Sequence, residues 1–457
     1  MSSPRHARPG TRRPQEPRKL PATLLEVTVE GYAWGGKAVG RHEGKVVFVS
    51  KAVPGDKLLA KVTRGKASYA EATSVSVLRP SPDRVEPRCK FFSHCGGCPW
   101  LAAAHPRQLR EKETLVAQAL RHHLEGAELL PIVGAEPFLG YRHRGEFHVR
   151  PTGDSVKIGF FQEGSHRVVN LDLCLLFDRA YNLRYQALRA ALKREPAARA
   201  LEQVTLDRAD DGETYALHFR LHHGGPREAV RLCEAADGLG FAGALATPAG
   251  DDGRVMASSG RPWTTYALPG GETGAGRDFL LRADVRSFTQ AHYAMNRRLV
   301  RAVLDWLAPA QSERVLDLYA GGGNFTLPLA ARCNEVVAVE GSPFASEDAR
   351  ENARSASARN VRHVFGEAAT ETAGLLARGA RFDAVLLDPP RSGAKEALGP
   401  LSRLSPPRIL YVSCNLTALE RDLTFLRDHG YRAVRIQPWD LFPQTYGVET
   451  MALLRKE

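Results

Sequence analysis

Arg314-Val-Leu-Asp-Leu-Tyr319 runs into Ala320-Gly-Gly-Gly323 and residues 324–331, and a second apolar run, residues 335–339, ends on Glu340. An unbroken apolar run, a glycine turn, a helix-compatible segment and another apolar run predict a βαβ unit of a parallel sheet buried on both faces. Glycines allow the tight turn where a strand feeds a helix, and an acidic residue about 20 positions further on meets a ribose diol in folds of this kind. Glu340 stands at that place. A dinucleotide fingerprint asks for a third small residue where this chain has Thr326. A ligand with a ribose and no pyrophosphate needs only the turn and the carboxylate.

Working towards the C-terminus, two more strand-like runs end on polar residues. Residues 384–388 lead from Ala384 to Asp388 and then Pro389-Pro390-Arg391, and residues 409–413 lead into Cys414-Asn415. Ligands bind beyond the carboxyl ends of such strands. Residues 432–436 and 448–454 read as paired strands around a connection, the antiparallel terminal hairpin common in methyltransferase domains. That ending favours S-adenosyl-L-methionine over NAD. A cysteine at a strand end is by itself an ordinary small buried residue. Cys414 gains weight from its place beside the predicted cofactor site.

Working towards the N-terminus, length alone predicts about three domains for 457 residues. No apolar run approaches the roughly 18 residues that span a bilayer, so no membrane segment is expected. Residues 1–22 carry six Lys/Arg and one Glu, with prolines at 4, 9, 14, 17 and 21. They lack an apolar core for secretion, and the prolines break an amphipathic helix, so a disordered basic arm is expected. The arm supplies five of the net +12 charges, a balance that favours polyanionic partners. Residues 24–77 alternate with period two, Val27 and Val29 opposite Glu26, Thr28 and Glu30, with turns at Gly35-Gly36 and Pro54-Gly55-Asp56. Several short strands in that space predict a small barrel of the OB-like kind. Residues 108–124 have helical period, and residues 135–285 are strand-rich.

Cys89, Cys95, Cys98 and the distant Cys174 make four soft ligands, a number that suits tetrahedral zinc or an iron–sulfur cluster. Cys95-Gly-Gly-Cys98 also admits a redox pair, and spacing alone leaves the three open. Seven cysteines and no secretory signal point to a reducing, cytoplasmic setting. Cys233 and Cys333 read as small buried residues.

Gln290, Asp317-Leu-Tyr-Ala-Gly-Gly-Gly-Asn-Phe-Thr326, Asp388-Pro-Pro-Arg391, Ser413-Cys-Asn415 and Asp440-Leu-Phe-Pro443 with Val448-Glu449 occur in that order. This set resembles the uracil-5 RNA methyltransferases, and the N-terminal barrel is similar to a TRAM domain. The cysteine pattern is similar to the iron–sulfur site of the ribosomal RNA branch. The resemblance implies a cofactor site of Gln290, Tyr319, Asn324, Glu340, Glu367 and Asp388, with Glu340 on the ribose hydroxyls. It implies Cys414 as nucleophile, Glu449 as base, and a [4Fe-4S] cluster on the four cysteines, shielded by Phe91, Phe92 and Trp100. Glu367 stands where the family often has Asn or Asp, and His292 where it often has Asn. Gln444 and Gly447 take positions usually held by His.

The expected architecture is multidomain: a basic arm (1–22), a TRAM-like β-barrel (23–80), a strand-rich central α+β domain with the cysteine site (81–285), and a Rossmann-like α/β methyltransferase domain (286–457). A helical segment near 105–133 is free to pack on the last of these. The expected activity is methylation of uridine carbon 5 in RNA, 23S ribosomal RNA favoured, by a monomer. Transfer RNA is the alternative substrate. A cytidine-5 enzyme ranks lower, since those usually place a second Cys after the proline where this chain has Pro390-Arg391. The non-enzyme reading, an RNA-binding assembly factor with an inert methyltransferase domain, is opposed by intact Cys414, Glu449 and Glu340.

Overall fold

Val27 and Val29 point inward from β1 (Leu24–Tyr32) while Glu26, Thr28 and Glu30 stay in solvent, the alternation a half-buried strand requires. With β2 (Ala38–His42), β3 (Lys45–Ser50), β4 (Lys57–Gly65) and β5 (Tyr69–Arg79) this strand closes a barrel in the order β1-β2-β3-β5-β4. Gly35 and Gly36, at φ 96° and 89°, make the β1–β2 turn that a side-chain-bearing residue would resist. The computed structural model describes residues 23–270 and 278–457. The basic arm read over residues 1–22 lies outside the described residues.

After the barrel come α1 (His105–Ala119) and the short β6 (Glu128–Leu129). The helix starts earlier than its apolar period suggests, because Pro106 sits in the first turn, where its missing N–H costs nothing.

The middle of the chain builds a seven-stranded mixed sheet, with two helices against it. Its strands are β7 (Arg144–Thr152), β8 (Ser155–Phe161), β9 (Val168–Asn170), β10 (Leu201–Arg208), β11 (Tyr215–Leu221), β12 (Gly243–Pro248) and β13 (Ala257–Gly260), in the order β13-β12-β11-β10-β7-β8-β9. Helices α2 (Arg179–Leu192) and α3 (Pro226–Asp237) bury Tyr181, Tyr185, Leu188 and Leu232 against Phe147, Leu206 and Phe219. A hairpin of β14 (Trp263–Leu268) and β15 (Phe279–Asp284) then forms a sheet of its own. Its Tyr266, Leu268, Leu281 and Ala283 join the apolar cluster of the following sheet.

That last sheet has eight strands in the order β18-β17-β16-β19-β20-β22-β21-β6, where β16 is Arg314–Leu318, β17 Glu335–Glu340, β18 Val361–Phe365, β19 Ala384–Leu387, β20 Arg408–Ser413, β21 Tyr431–Trp439 and β22 Glu449–Lys456. Strands β16 to β20 are parallel, and β22 runs antiparallel to both β20 and β21. Both faces are covered by α4 (Tyr293–Leu307), α5 (Thr326–Ala330), α6 (Pro343–Ser355), α7 (Ala368–Ala377), α8 (Lys395–Leu404) and α9 (Leu416–Asp428). Alternate residues of β16 serve the two faces: Val315 joins Leu299, Val303 and Leu327, while Leu316 and Leu318 join Leu375, Leu398 and Leu419. The second of these clusters continues through Leu115, Val116 and Trp100 into the barrel core at Val27 and Val49. Helix α1 therefore lies between barrel and sheet, and β6 adds to the sheet edge beside β21. Among the described residues no helix is long and apolar enough to cross a membrane.

Candidate active site and cysteine-lined pocket

The strand order reverses between β16 and β19, and open α/β sheets bind ligands in the crevice at such a point. Tyr319 leaves β16 with φ 65°, and Gly321 and Gly323 follow at 56° and 97°, so the chain turns away from the strand end at once. The Glu340 carboxylate reaches back across this turn: it accepts from Gly321 N at 2.8 Å and from Ser342 N at 2.6 Å. Asn324 exchanges two hydrogen bonds with Asn296 of α4, at 2.7 and 3.1 Å. Glu367, exposed, precedes α7, and a Cβ on Gly341 would lie 3.3 Å from its Oε1.

Gln290 is buried on the segment joining β15 to α4. Two residues one turn apart on α6, which sequence reading passed over, fix that segment to the glycine turn. Asp348 accepts from Asp284 N at 2.8 Å and Ser287 Oγ at 2.6 Å. Asn352 accepts from Arg282 N at 2.8 Å and donates to the Arg282 and Gly322 carbonyls, each at 2.9 Å. The i, i+4 spacing of two short polar side chains on one helix face was their only signal. His292 caps α4 through Met295 N, and its Nε2 meets the Pro137 carbonyl at 2.9 Å.

Asp388 and Cys414 follow β19 and β20, and Glu449 opens the antiparallel β22 at the same end of the sheet. Ser413 pairs with Thr450 across β20 and β22, and Cys414 follows the one as Glu449 precedes the other. Burial pushes the Cys414 thiol up to about 11, the charges of Glu449 and Asp388 add to the shift, and Arg391 opposes it. Burial and Asp388 hold the Glu449 carboxyl well above the usual carboxylate range, and its Oε1 has no partner. Asp388 rises to about 7 through burial and the charge of Asp317. Asp317, wholly buried on the α5 side of β16, also rises to about 7, although Thr326 Oγ1 donates to its Oδ2 at 2.6 Å. A crevice whose acids cling to their protons is one that a cation relieves.

The loop 440–448 delivers Glu449 and is tied to α1. Asp440, fully buried, accepts from Lys112 Nζ at 2.5 Å and faces His105 Nε2 at 2.8 Å; Lys112, equally buried, also donates to the Phe442 carbonyl at 3.0 Å. Gln444 is buried at φ 71° with its side chain paired to Gln108. A side chain at Gly447 would press on the Phe442 ring at 3.2 Å. The residues at 444 and 447 are thus packing choices of this loop. A lysine among the apolar positions of α1 was the sequence signal for the buried ion pair.

The four cysteines come together elsewhere. Cys89, Cys95, Cys98 and Cys174 line one pocket whose walls include Phe91, Phe92, Leu139 and Phe160. Cys95 bridges to Gln162 just after β8, and Asn182 of α2 clamps the Cys174 backbone at N and O, at 2.8 and 3.0 Å. Burial and the neighbouring sulfurs push Cys98 well above its ordinary value and Cys174 up to about 12. Among the described residues no three His, Cys, Asp or Glu side chains close around a point that one metal ion could occupy. Trp100, expected to shield this group, does not line the pocket. It stacks on Tyr32 of the barrel instead, with ring centroids 4.2 Å apart. Cys233 and Cys333 are buried and remote from both sites.

Residues 273–457 match the family model described as tRNA (Uracil-5-)-methyltransferase, and residues 19–75 match the TRAM domain. The chain is 35% identical over 454 residues to the 23S rRNA (uracil(1939)-C(5))-methyltransferase RlmD of Alkalilimnicola ehrlichii, covering 96% of this chain and 98% of that protein. It is 34% identical to the protein of the same name from Pectobacterium carotovorum, over 95% of this chain and 94% of that one. The chain belongs to the RNA uracil-5-methyltransferase family. Members of this family are enzymes, and the barrel of this one is a TRAM domain. The fold is also that of the Pyrococcus abyssi tRNA (uracil-54, C5)-methyltransferase, solved with S-adenosyl-L-homocysteine: TM-score 0.72 at 23% identity, covering 94% of this chain and 99% of that one.

Proposed function

We propose that this methyltransferase transfers a methyl group from S-adenosyl-L-methionine to carbon 5 of a uridine in 23S ribosomal RNA, with Cys414 as nucleophile and Glu449 as base. The observation that carries the reading is the end of the β20–β22 pairing at Ser413 and Thr450, flanked by a thiol on one strand and a buried carboxyl with an unpartnered oxygen on the other, the carboxyl near enough for its charge to act on the thiol. Carbon 5 of uracil is a poor nucleophile. Addition of the Cys414 thiolate to carbon 6 leaves an enolate at carbon 5, so one hard reaction becomes two easier ones. Bound S-adenosyl-L-methionine supplies the electrophilic methyl. The Glu449 carboxylate then takes the carbon 5 proton, the carbon 6–sulfur bond breaks, and Cys414 leaves as thiolate. A base within an RNA helix or loop has to flip out to reach these groups.

Gln290, Tyr319, Asn324, Glu340, Glu367 and Asp388 are the proposed cofactor residues. Glu340 suits the ribose diol because its carboxylate already lies over the glycine turn. Ribosomal RNA is favoured over transfer RNA by the relatives' names. For the cysteine pocket we infer a [4Fe-4S] cluster. Four thiols, apolar walls and no histidine or carboxylate in the lining suit soft thiolate chemistry. The division into barrel, central domain and methyltransferase domain at about residues 80 and 285 belongs to the same proposal.

The test is mass-spectrometric mapping of 5-methyluridine in total RNA after deletion of the gene. Loss of one ribosomal 5-methyluridine supports the reading. Loss confined to transfer RNA would move the substrate while leaving the chemistry in place.

A further inference from the structure

Glu449 is poorly held by its own side chain. Its Oε1 has no hydrogen-bond partner, and burial works against its charge. As the first residue of β22, it takes its position from the strand on one side and from loop 440–448 on the other. That loop is gripped by residues more than 300 positions away.

The grip is specific. Gln108 Oε1 accepts from Gln444 N at 2.9 Å, and since a backbone N–H only donates, the orientation of the Gln108 amide is fixed. Its Nε2 then donates to Gln444 Oε1, also at 2.9 Å. Trp100 N donates to the Gln444 carbonyl at 3.1 Å, so the loop residue at φ 71° has its N–H, its carbonyl and its side-chain oxygen engaged by Trp100 and Gln108, while its Nε2 donates to the Phe138 carbonyl at 3.3 Å. Trp100 is itself wholly buried. Its ring stacks on Tyr32, and its Nε1 donates to the Gly36 carbonyl at 2.9 Å. From the barrel side, a Cβ on Gly36 would lie 2.5 Å from the Tyr446 ring, so the β1–β2 turn presses on the same loop. Trp100 also stands two residues after Cys98, so what anchors the cysteine segment anchors this contact.

We propose that Trp100 and Gln108 are positioning residues for Glu449, forming a brace that ties the barrel turn and the cysteine segment to the loop bearing the base. The proposal rests on the reading of Glu449 as the base. Neither residue touches the crevice; they act through Gln444, five residues before Glu449. Misplacing a reacting group by about 1 Å costs on the order of 10²-fold, so a relaxed loop slows proton removal while leaving cofactor binding alone.

The experiment measures methylation of ribosomal RNA carrying either uridine or 5-deuterouridine at the target, with Gln108→Leu, Trp100→Phe and Glu449→Gln beside the wild type. The brace predicts for Gln108→Leu and Trp100→Phe a roughly 10–100-fold loss of kcat. It also predicts a larger deuterium isotope effect than in the wild type and accumulation of a covalent protein–RNA adduct on denaturing gels. S-adenosyl-L-methionine affinity by calorimetry should stay within about twofold. If Trp100→Phe does not fold, Gln108→Glu, which keeps the acceptor for Gln444 N and loses the donor, gives the milder version of the same result. A loss of activity matching the loss of folded protein, with the isotope effect unchanged and no adduct, overturns the brace. Adduct in Glu449→Gln but not in the brace variants overturns the brace alone. No adduct in Glu449→Gln overturns the base reading and the brace with it.

Discussion

Replacing Lys112 by Met tests how the catalytic loop is held. Lys112 and Asp440 are both fully buried, and Nζ contacts the carboxylate at 2.5 Å and the Phe442 carbonyl at 3.0 Å. Removing one partner of a buried pair leaves an uncompensated charge and costs about 3–5 kcal/mol. Asp440 keeps His105 at 2.8 Å, which places the expected loss near the lower end, about 3 kcal/mol. For a cooperative unit of 150–250 residues that is a fall in Tm of about 6–12 °C. The double variant Lys112→Met/Asp440→Leu should recover most of it, because apolar replacement of both partners is often neutral or better. There is also a pH signature. Burial opposes the charge on Asp440, yet Lys112 and His105 hold its carboxyl below the usual range. The native pair therefore contributes stability above the unfolded carboxylate pKa and loses it as pH falls through the lower folded value. Without Lys112 the carboxyl rises, so the gap between wild type and Lys112→Met should narrow from pH 7 to pH 4. Calorimetric melts check all three. A Tm within about 2 °C of the wild type, or a double variant no better than the single, would refute the reasoning.

Cys414→Ala should abolish methylation with S-adenosyl-L-methionine affinity nearly intact, whereas Glu449→Gln should slow turnover about 10²–10⁴-fold and leave a methylated protein–RNA adduct; full activity in Cys414→Ala would sink the covalent mechanism. Asp317 and Asp388, both raised to about 7, add stability to the free protein below the unfolded carboxylate pKa and lose it as pH rises through 7. Free-protein Tm should therefore drop between pH 5 and 8 while cofactor affinity increases. Calorimetry in two buffers of different ionisation enthalpy should register proton release on cofactor binding, and a pH-independent affinity would count against these assignments. Anaerobically purified protein should carry about four iron atoms and matching sulfide, and Cys95→Ala should bleach the visible absorbance; stoichiometric zinc without sulfide defeats the cluster.

The parallel sheet was legible because strands buried on both faces read as continuous apolar runs: residues 335–339, 384–388 and 409–413 each fall on a strand within one residue at either end. The terminal hairpin was legible from two strand-like runs around a connection, and β21 and β22 pair antiparallel there. Tyr319 was assigned to the first strand and instead ends it at φ 65°, because hydrophobicity says nothing about backbone handedness. The helix expected over residues 324–331 shrinks to Thr326–Ala330, since the chain first completes the glycine turn. Trp100 was misplaced for a different reason. An aromatic next to cysteines invites the reading of a shield, but its indole N–H requires a buried acceptor, which the barrel turn provides at Gly36. The contacts of Gln108, Lys112 and Gln444 join residues more than 300 positions apart; Lys112 among the apolar positions of α1 signals a buried charge, but no local pattern names its partner.

The electrostatics of the crevice bear on how its groups come into play. Cys414, Asp317, Asp388 and Glu449 are each raised by burial, and three of them are raised further by one another. Burial thus works against the charged states that a nucleophilic thiolate and a carboxylate base require. The proposed chemistry therefore calls for positive charge in the crevice. Arg391 is the cation that opposes the Cys414 shift, but it is exposed at the crevice edge, with its backbone carbonyl accepting from Asn415 Nδ2 at 2.9 Å. Water screens such a charge and weakens its pull on the thiol. With Asp388 among the proposed cofactor residues, a bound sulfonium would supply that charge, and RNA over the crevice would exclude the water that screens it, favouring thiolate and carboxylate alike. On the proposed roles, Cys414 and Glu449 would be activated by the same two events, cofactor binding and coverage by RNA, and an activated cysteine would not stand exposed in the free enzyme.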